Sequence, residues 1–323
     1  MRLIIYGAGG IGCVTGGHLA RTGHDVILVG RPGHVQAINE KGLQLITPTG
    51  NYSLEIPAVT GPDKIDFQPD DVILLSMKGQ NTEEALRELK KKVDDIPIFC
   101  VQNGVRNEEI AAEIFPRVYG VMVRVGAEYL EDGKVTARRD PPGWYIISRY
   151  PRGKDELAEE VAVCLRTAGF YVMVTEDAIL YKWGKLMSNL GNSVGAITNA
   201  RGREADFISN AARQELDELL TKANVKWISQ AQVSEEWPEI TQPLRGSLTT
   251  ESQSSTWQSL EREQGSVETE FLNGEVVRLA ERMGLQAPIN EMLLKITLEM
   301  AENHEHPGKY TANQLGSILG LTP

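Results

Sequence analysis

Lys185, Asn189 and Asn192 are spaced i, i+4 and i+7 within Trp183-Gly184-Lys185-Leu186-Met187-Ser188-Asn189-Leu190-Gly191-Asn192. On a helix that spacing sets one ammonium and two amides along a single face, beside Leu186, Met187 and Leu190. A desolvated ammonium must be compensated, so burial of this stripe would point to a task for it, whereas exposure would make it an ordinary polar face. Glu268 is a second candidate. It follows Ser266, which reads as a helix N-cap, and the helix dipole favours a carboxylate in that first turn whatever else it does. Ser254, Ser255 and Thr256 form a hydroxyl cluster 12 or more residues before Glu268. On one straight helix they would lie about 18 Å or more from it, so a shared site requires the chain to fold back, and Gly265 offers the break. His18, His24, His34, His304 and His306 suggest no acid–base or metal grouping, no Gly-x-Ser-x-Gly elbow is present, and no cysteine pairs convincingly with a histidine. Hydrolase chemistry therefore has little support.

A different chemistry is written near the N-terminus. Gly7-Ala8-Gly9-Gly10-Ile11-Gly12 follows the apolar run Leu3-Ile4-Ile5-Tyr6 and opens a helical stretch reaching about Arg21, with a second strand expected at Asp25–Val29. In that setting Gly7 permits a tight turn and Gly9 lets the backbone approach a pyrophosphate. Gly12 allows close helix–strand packing with amides aimed at the anion, so the run predicts a dinucleotide site. Where an NAD-binding protein would carry Asp or Glu, at the end of the second strand, the chain reads Val29-Gly30-Arg31. No carboxylate there repels a 2′-phosphate, and Arg31 offers it a bidentate charge-assisted pair, so NADP is the expected cofactor; a solvated surface arginine is the plain alternative. Lys78 follows the strand Val72–Ser76, and Asn103 follows Ile98–Val101 within Val101-Gln102-Asn103-Gly104. Both fall at the carboxyl edge of the expected sheet, where ligands bind. Lys78 is a second candidate cation and Asn103 a nicotinamide or substrate contact, against the readings of a loop lysine and an Asn-Gly turn.

Two kinds of element must position these groups. From Arg2 to about Val174, short runs at Leu3–Tyr6, Asp25–Val29, Val72–Ser76, Ile98–Val101 and Val118–Val123 alternate with helical stretches, the pattern of a doubly wound, mostly parallel Rossmann-type sheet. Runs around Val135, Tyr145–Ile147 and Phe170–Val174 extend it or form a hairpin at its edge. After Thr175 the period becomes 3.6 over Glu176–Ile197, Arg203–Gln230, Leu244–Arg262, Val267–Met283 and Ile289–Glu302, with Thr175 and Ser266 as N-caps and Gly284 as a helix-ending glycine. The expected fold class is α/β: residues 1–174 form an NADP-binding Rossmann domain, and residues 175–323 an all-α domain for substrate binding and catalysis. No Pro/Gly/Ser spacer marks the boundary, so firm packing with a ligand in the cleft is expected.

The 323 residues, 41% hydrophobic and 24% charged, suffice for two such domains. A net charge of −11 argues against nucleic-acid binding and leaves a small molecule as the expected partner. The longest apolar run, near Val72–Leu75, is far short of the roughly 20 residues that cross a bilayer. The N-terminus lacks a signal-peptide core, and Cys13, Cys100 and Cys164 show no paired pattern. A cytoplasmic protein with reduced thiols is expected. The oligomeric state is not specified, a homodimer being one option.

Taken together, these motifs resemble the ketopantoate reductase family over nearly the whole chain. The resemblance rests on Gly7-Ala8-Gly9-Gly10-Ile11-Gly12, on Leu19–Arg31 with its Val29-Gly30-Arg31 ending, and on Lys78. It continues through Gln102-Asn103-Gly104, Trp183-Gly184-Lys185-Leu186-Met187-Ser188-Asn189 and Val267-Glu268-Thr269-Glu270-Phe271-Leu272-Asn273-Gly274. It implies NADPH-dependent reduction of 2-dehydropantoate, a 2-oxo acid, at C2, in the pantothenate branch of coenzyme A synthesis. It also implies Arg31 and Lys78 at the phosphate end of the cofactor, Asn103 near the nicotinamide, Lys185 as general acid and Glu268 as its acidic partner. Asn189 and a serine of the Ser254–Ser255 pair would bind substrate. Two positions depart from the family pattern. A second amide belongs eight residues after the lysine, where this chain has Ser193, with Asn192 one position early on the same face. The asparagine that usually precedes the serines is absent, Gln253 being the nearest substitute. Two other readings stand beside this one. A related NADP-linked reductase of another 2-oxo acid, or of β-hydroxy acid or opine type, is the first, although the β-hydroxy acid enzymes normally carry a Gly-Ser-Gly run that is absent before Lys185. A non-catalytic NADPH sensor is the second, and would need neither Lys185 nor Glu268.

Overall fold

The apolar run Leu3-Ile4-Ile5-Tyr6 is buried throughout, as a strand covered on both faces requires. In the computed structural model, which describes residues 1–200, 203–242, 244–248, 253–263 and 265–322, this strand lies inside an eight-stranded sheet. The strand order is Tyr171–Val174, Gly143–Arg149, Val118–Val125, Ile98–Cys100, Asp71–Leu75, Arg2–Tyr6, Val26–Val29 and Ala58–Val59. Every neighbouring pair is parallel except Val118–Val125 with Gly143–Arg149. Leu3 and Ile5 join one apolar cluster with Phe99, Val123 and Tyr145, while Ile4 and Tyr6 join another with Ile73, Ile98 and Phe115. The sheet is thus packed on both sides. From Arg2–Tyr6 the chain steps to Val26–Val29 on one flank and later to Asp71–Leu75 on the other, so the carboxyl end of Arg2–Tyr6 is the point where strand order reverses and where ligands enter such sheets.

The Tyr145–Ile147 and Phe170–Val174 runs extend this sheet. The Val135 run does not: Lys134–Ala137 pairs with Ala127–Glu131 and Leu43–Thr47 in a separate four-stranded sheet.

The chain divides into two compact units. The first comprises Met1–Asn103, Asn107–Lys182 and Ser229–Thr250, and the second Gly104–Arg106, Trp183–Ile228 and Glu251–Pro323. This differs from a single cut at 174/175. The helix Ala178–Asn189 begins in the first unit because the Ala178 amide donates to Ser148 Oγ at 2.8 Å and Lys182 pairs with Glu108. Ser229–Thr250 belongs there too. Trp237 packs edge-on against Trp144 and Tyr171, Tyr181 Oη donates to Glu236 at 2.8 Å, and Gly246–Ser247 pairs antiparallel with Arg139–Asp140.

The helical half is more broken than its period predicts. Thr175 is not the N-cap of Ala178–Asn189; Ser148 and Asp177 accept from its first amides instead. Leu190 separates that helix from Gly191–Thr198. Asp206–Lys222 ends at a left-handed Asn224, and the chain restarts at Gln230–Glu236 under a Ser229 capping box. The stretch Leu244–Arg262 is helical only over Ser255–Glu261, and 249–252 lie outside the described residues. Val267–Met283 is a 3₁₀ turn, Glu268–Phe271, followed by the helix Asn273–Arg282, because Leu272 at φ −118°, ψ −93° leaves helical space. Val267, not Ser266, stands at the cap position of the turn. Gly284, at φ +66°, follows Arg282 and Met283 as expected.

Candidate functional site

In the first unit the glycine turn is held by its own backbone. The Gly7 and Ala8 amides donate to Val29 O at 3.0 and 2.8 Å, which ties the turn to the second strand. Gly7 has φ +118°, and a Cβ there would lie 2.2 Å from Met77 N; a Cβ on Gly12 would lie 2.2 Å from Gly7 O. Neither position accepts a side chain. A Cβ on Gly9 would meet nothing within 4 Å, so the turn is open on the side of the Gly10–Arg21 N-terminus. Amides of a first helical turn have no partner inside their helix, and they carry the positive end of its dipole. Such an opening fits an anion whose backbone approach a side chain would block.

Gly30 lies close against Ala8, so Arg31 follows the turn directly in space. Its backbone caps the helix Pro32–Lys41, while its exposed side chain makes no capping bond. Lys78 and Asn103, both half-exposed, stand on loops at the carboxyl ends of Asp71–Leu75 and Ile98–Cys100. A polar network joins these two loops. Gln102 Nε2 donates to Met77 O at 2.9 Å and to Thr82 Oγ1 at 2.8 Å, Thr82 Oγ1 donates to Asn107 Oδ1 at 2.9 Å, and Asn107 Nδ2 donates to Asn103 O at 2.8 Å. Gln102, Thr82 and Asn107 are buried, so the network fixes the backbone that carries Lys78 and Asn103. Next to it, Glu108 and Lys182 form a buried ion pair. Burial pushes the Glu108 carboxyl up, and the adjacent Lys182 ammonium opposes this. Spacing does not announce either feature, since the partners lie 20, 25 and 74 residues apart.

Cys13 Sγ does meet a histidine, His34 Nε2, at 3.2 Å. The other ring nitrogen accepts from the Gly133 amide at 2.9 Å, so Nε2 carries the proton and points it at sulfur. Burial holds the thiol at about 12, so the pair supplies no thiolate.

In the second unit Lys185, Asn189 and Asn192 are half-buried on consecutive helical turns. Ser193 is buried, and its hydroxyl donates to Leu190 O at 3.1 Å. Ser254 is brought back across 62 residues: its Oγ donates to Asn192 O at 3.4 Å and accepts from the Trp257 amide at 3.2 Å as a helix cap. Ser255 is exposed, one residue further on. Glu268 is buried in its 3₁₀ turn, which packs against Ser255–Glu261, Asn273–Arg282 and Pro288–Glu302. Sequence reasoning missed Arg106, whose guanidinium stacks 4.1 Å from the Phe271 ring and pairs with the buried Glu275 at 3.5 Å, bracing that turn.

Residues 3–152 match the family model described as ketopantoate reductase PanE/ApbA, and residues 177–301 match the model of its C-terminal part. The chain belongs to the ketopantoate reductase family. A 2-dehydropantoate 2-reductase from Pyrococcus horikoshii is 33% identical over 301 residues, 91% of this chain and 95% of that one. The crystal structure of a PanE/ApbA family ketopantoate reductase from Ralstonia eutropha JMP134 superposes with a TM-score of 0.78 at 27% identity, covering 95% of this chain and all of that one. D-mandelate dehydrogenase with NADH and anilino(oxo)acetate shares the fold at a TM-score of 0.79 and 20% identity, covering 94% and 99% of the two chains. As a member of the ketopantoate reductase family the chain is an oxidoreductase acting on CH–OH groups. Among the described residues no helix is long and apolar enough to cross a membrane.

Proposed function

We propose that this chain reduces 2-dehydropantoate to pantoate with NADPH, the reduction that feeds pantothenate and coenzyme A synthesis. The observation that supports this reading is the return of Ser254, whose Oγ donates to Asn192 O at 3.4 Å and so reaches the helical segment that follows Lys185 and Asn189. Gly7–Gly12 would hold the pyrophosphate, with Arg31 and Lys78 on the 2′-phosphate end and Asn103 beside the nicotinamide. When bound there, NADPH supplies the hydride for C2. Lys185 gives its proton to the oxygen that becomes the C2 hydroxyl, and Glu268 keeps that ammonium charged and accepts from the hydroxyl. Asn189, Asn192 and Ser254 present amide and hydroxyl groups that orient the oxo acid, and Ser255 lies exposed beside them.

The test follows nicotinamide absorbance with 2-dehydropantoate. Lys185→Ala should lower kcat by about 10²–10⁴ with NADPH affinity unchanged. Near-normal turnover would remove Lys185 from the chemistry. Turnover of other oxo acids alone would replace the substrate, and tight NADPH binding without any turnover would favour a sensor.

A further inference from the structure

Arg124 stands near the carboxyl end of Val118–Val125, a strand parallel to Ile98–Cys100, and therefore on the same sheet edge as Asn103 and Lys78. It faces Trp144 directly across the antiparallel pair, with its guanidinium 5.6 Å from the indole ring. Side chains two residues apart share a sheet face. That face continues through Met122 to Gly120, which touches Ile179 and Glu108.

Neighbouring arginines have acids: Arg138 pairs with Glu128, and Arg245 with Asp140 at 2.8 Å. Arg124 has none among the described residues. Its Nε is buried without a hydrogen-bond partner, and its charged neighbour is Arg139, a like charge. Burial, with Arg139 adding to it, holds the guanidinium below its ordinary value. A half-buried cation beside another cation is costly, and this chain, with 44 Asp and Glu against 33 Lys and Arg, had acids to spare for it. The planar fork of an arginine matches a carboxylate, and the indole beside it keeps water away.

We propose that Arg124 is a carboxylate-binding residue on the first unit's sheet edge, taking an anionic group of an oxo acid. This rests on the oxo-acid reading above and names a cation for the carboxylate of such an acid.

The experiment pairs kinetics with equilibrium binding on the full chain. Arg124→Met should raise KM for 2-dehydropantoate about 10–100-fold, the loss expected for a charged hydrogen bond, with kcat within about threefold and NADPH affinity unchanged. Arg124→Lys should recover part of the loss as a point charge. Calorimetric titration with oxalate, an anion that cannot be reduced here, should give binding to the wild type and at least tenfold weaker binding to Arg124→Met. That arm reads carboxylate binding at Arg124 separately from turnover: a wild type that reduces no oxo acid would end the functional reading, while oxalate binding lost in Arg124→Met would still show a carboxylate site. Unchanged KM and unchanged oxalate affinity in Arg124→Met would overturn the assignment. So would a loss of NADPH affinity in step with KM, which would move Arg124 to the cofactor. If Arg124→Met fails to fold, Arg124→Lys decides: a KM raised about fivefold or more supports the assignment, and an unchanged KM overturns it.

Discussion

At Gly7–Gly12 the groups that would meet a ligand are main chain, in a turn held by bonds from the Gly7 and Ala8 amides to Val29 O. Along Lys185, Asn189 and Asn192 they would be side chains on two successive helices, with Ser254 brought to Asn192 by a distant segment. The first depends on bare glycines at Gly7 and Gly12, where an added Cβ would collide with backbone. The second can be edited one group at a time while its scaffold survives. A glycine there and a lysine here are thus equally telling, for opposite reasons.

The sharpest way to break this contrast is Gly12→Val. Its Cβ would meet Gly7 O at 2.2 Å, so the turn must open, and dinucleotide binding measured by fluorescence titration should disappear. Affinity within tenfold of wild type would show that the turn tolerates a side chain after all. Next in size is the support beneath the helix. Lys182→Met leaves Glu108 buried and alone, and should cost about 3–5 kcal/mol in denaturant unfolding, most of it regained by adding Glu108→Gln. Equal losses in the single and double variants would reduce the pair to ordinary packing.

His18 tests the helix behind the turn. Buried and neutral, it has its imidazole lowered to about 4 by burial and by Arg21, against an ordinary 6.5. The unfolded chain therefore takes up the proton first. Stability from this group is full above about pH 6.5 and falls as pH drops toward 4, by about 3 kcal/mol in all. His18→Phe should flatten that part of the pH–stability curve, and an unaltered slope would assign the acid sensitivity elsewhere. The smallest effect is Arg31→Ala, which should weaken NADPH binding about 10–100-fold and NADH binding little. Equal losses for both cofactors would remove the 2′-phosphate from its role.

The turn is legible because backbone conformation restricts residue type, and a glycine with its φ at +118° can be read from composition and position alone. The Lys185 face is legible because its spacing repeats with the helix. What the period hides is interruption. Leu272 and Asn224 break helices with ordinary residue types, and the two-residue strand Gly246–Ser247 is too short to carry alternation. The Gln102–Thr82–Asn107 network and the Glu108–Lys182 pair are likewise silent. Their partners come from different elements, and each residue alone looks like any polar position on a loop or helix. Arg124 hides in the same way, as one polar residue at the end of an apolar strand.

The segment Ser229–Thr250 makes the first compact unit of this molecule discontinuous along the gene. Cutting the chain after Lys182 would strip the Trp237 indole from Trp144 and Tyr171 and leave the Tyr181 hydroxyl without Glu236. A chimaera that swaps the N-terminal half alone would inherit a bare aromatic surface. Exchange of this unit between relatives must therefore carry two stretches of coding sequence together.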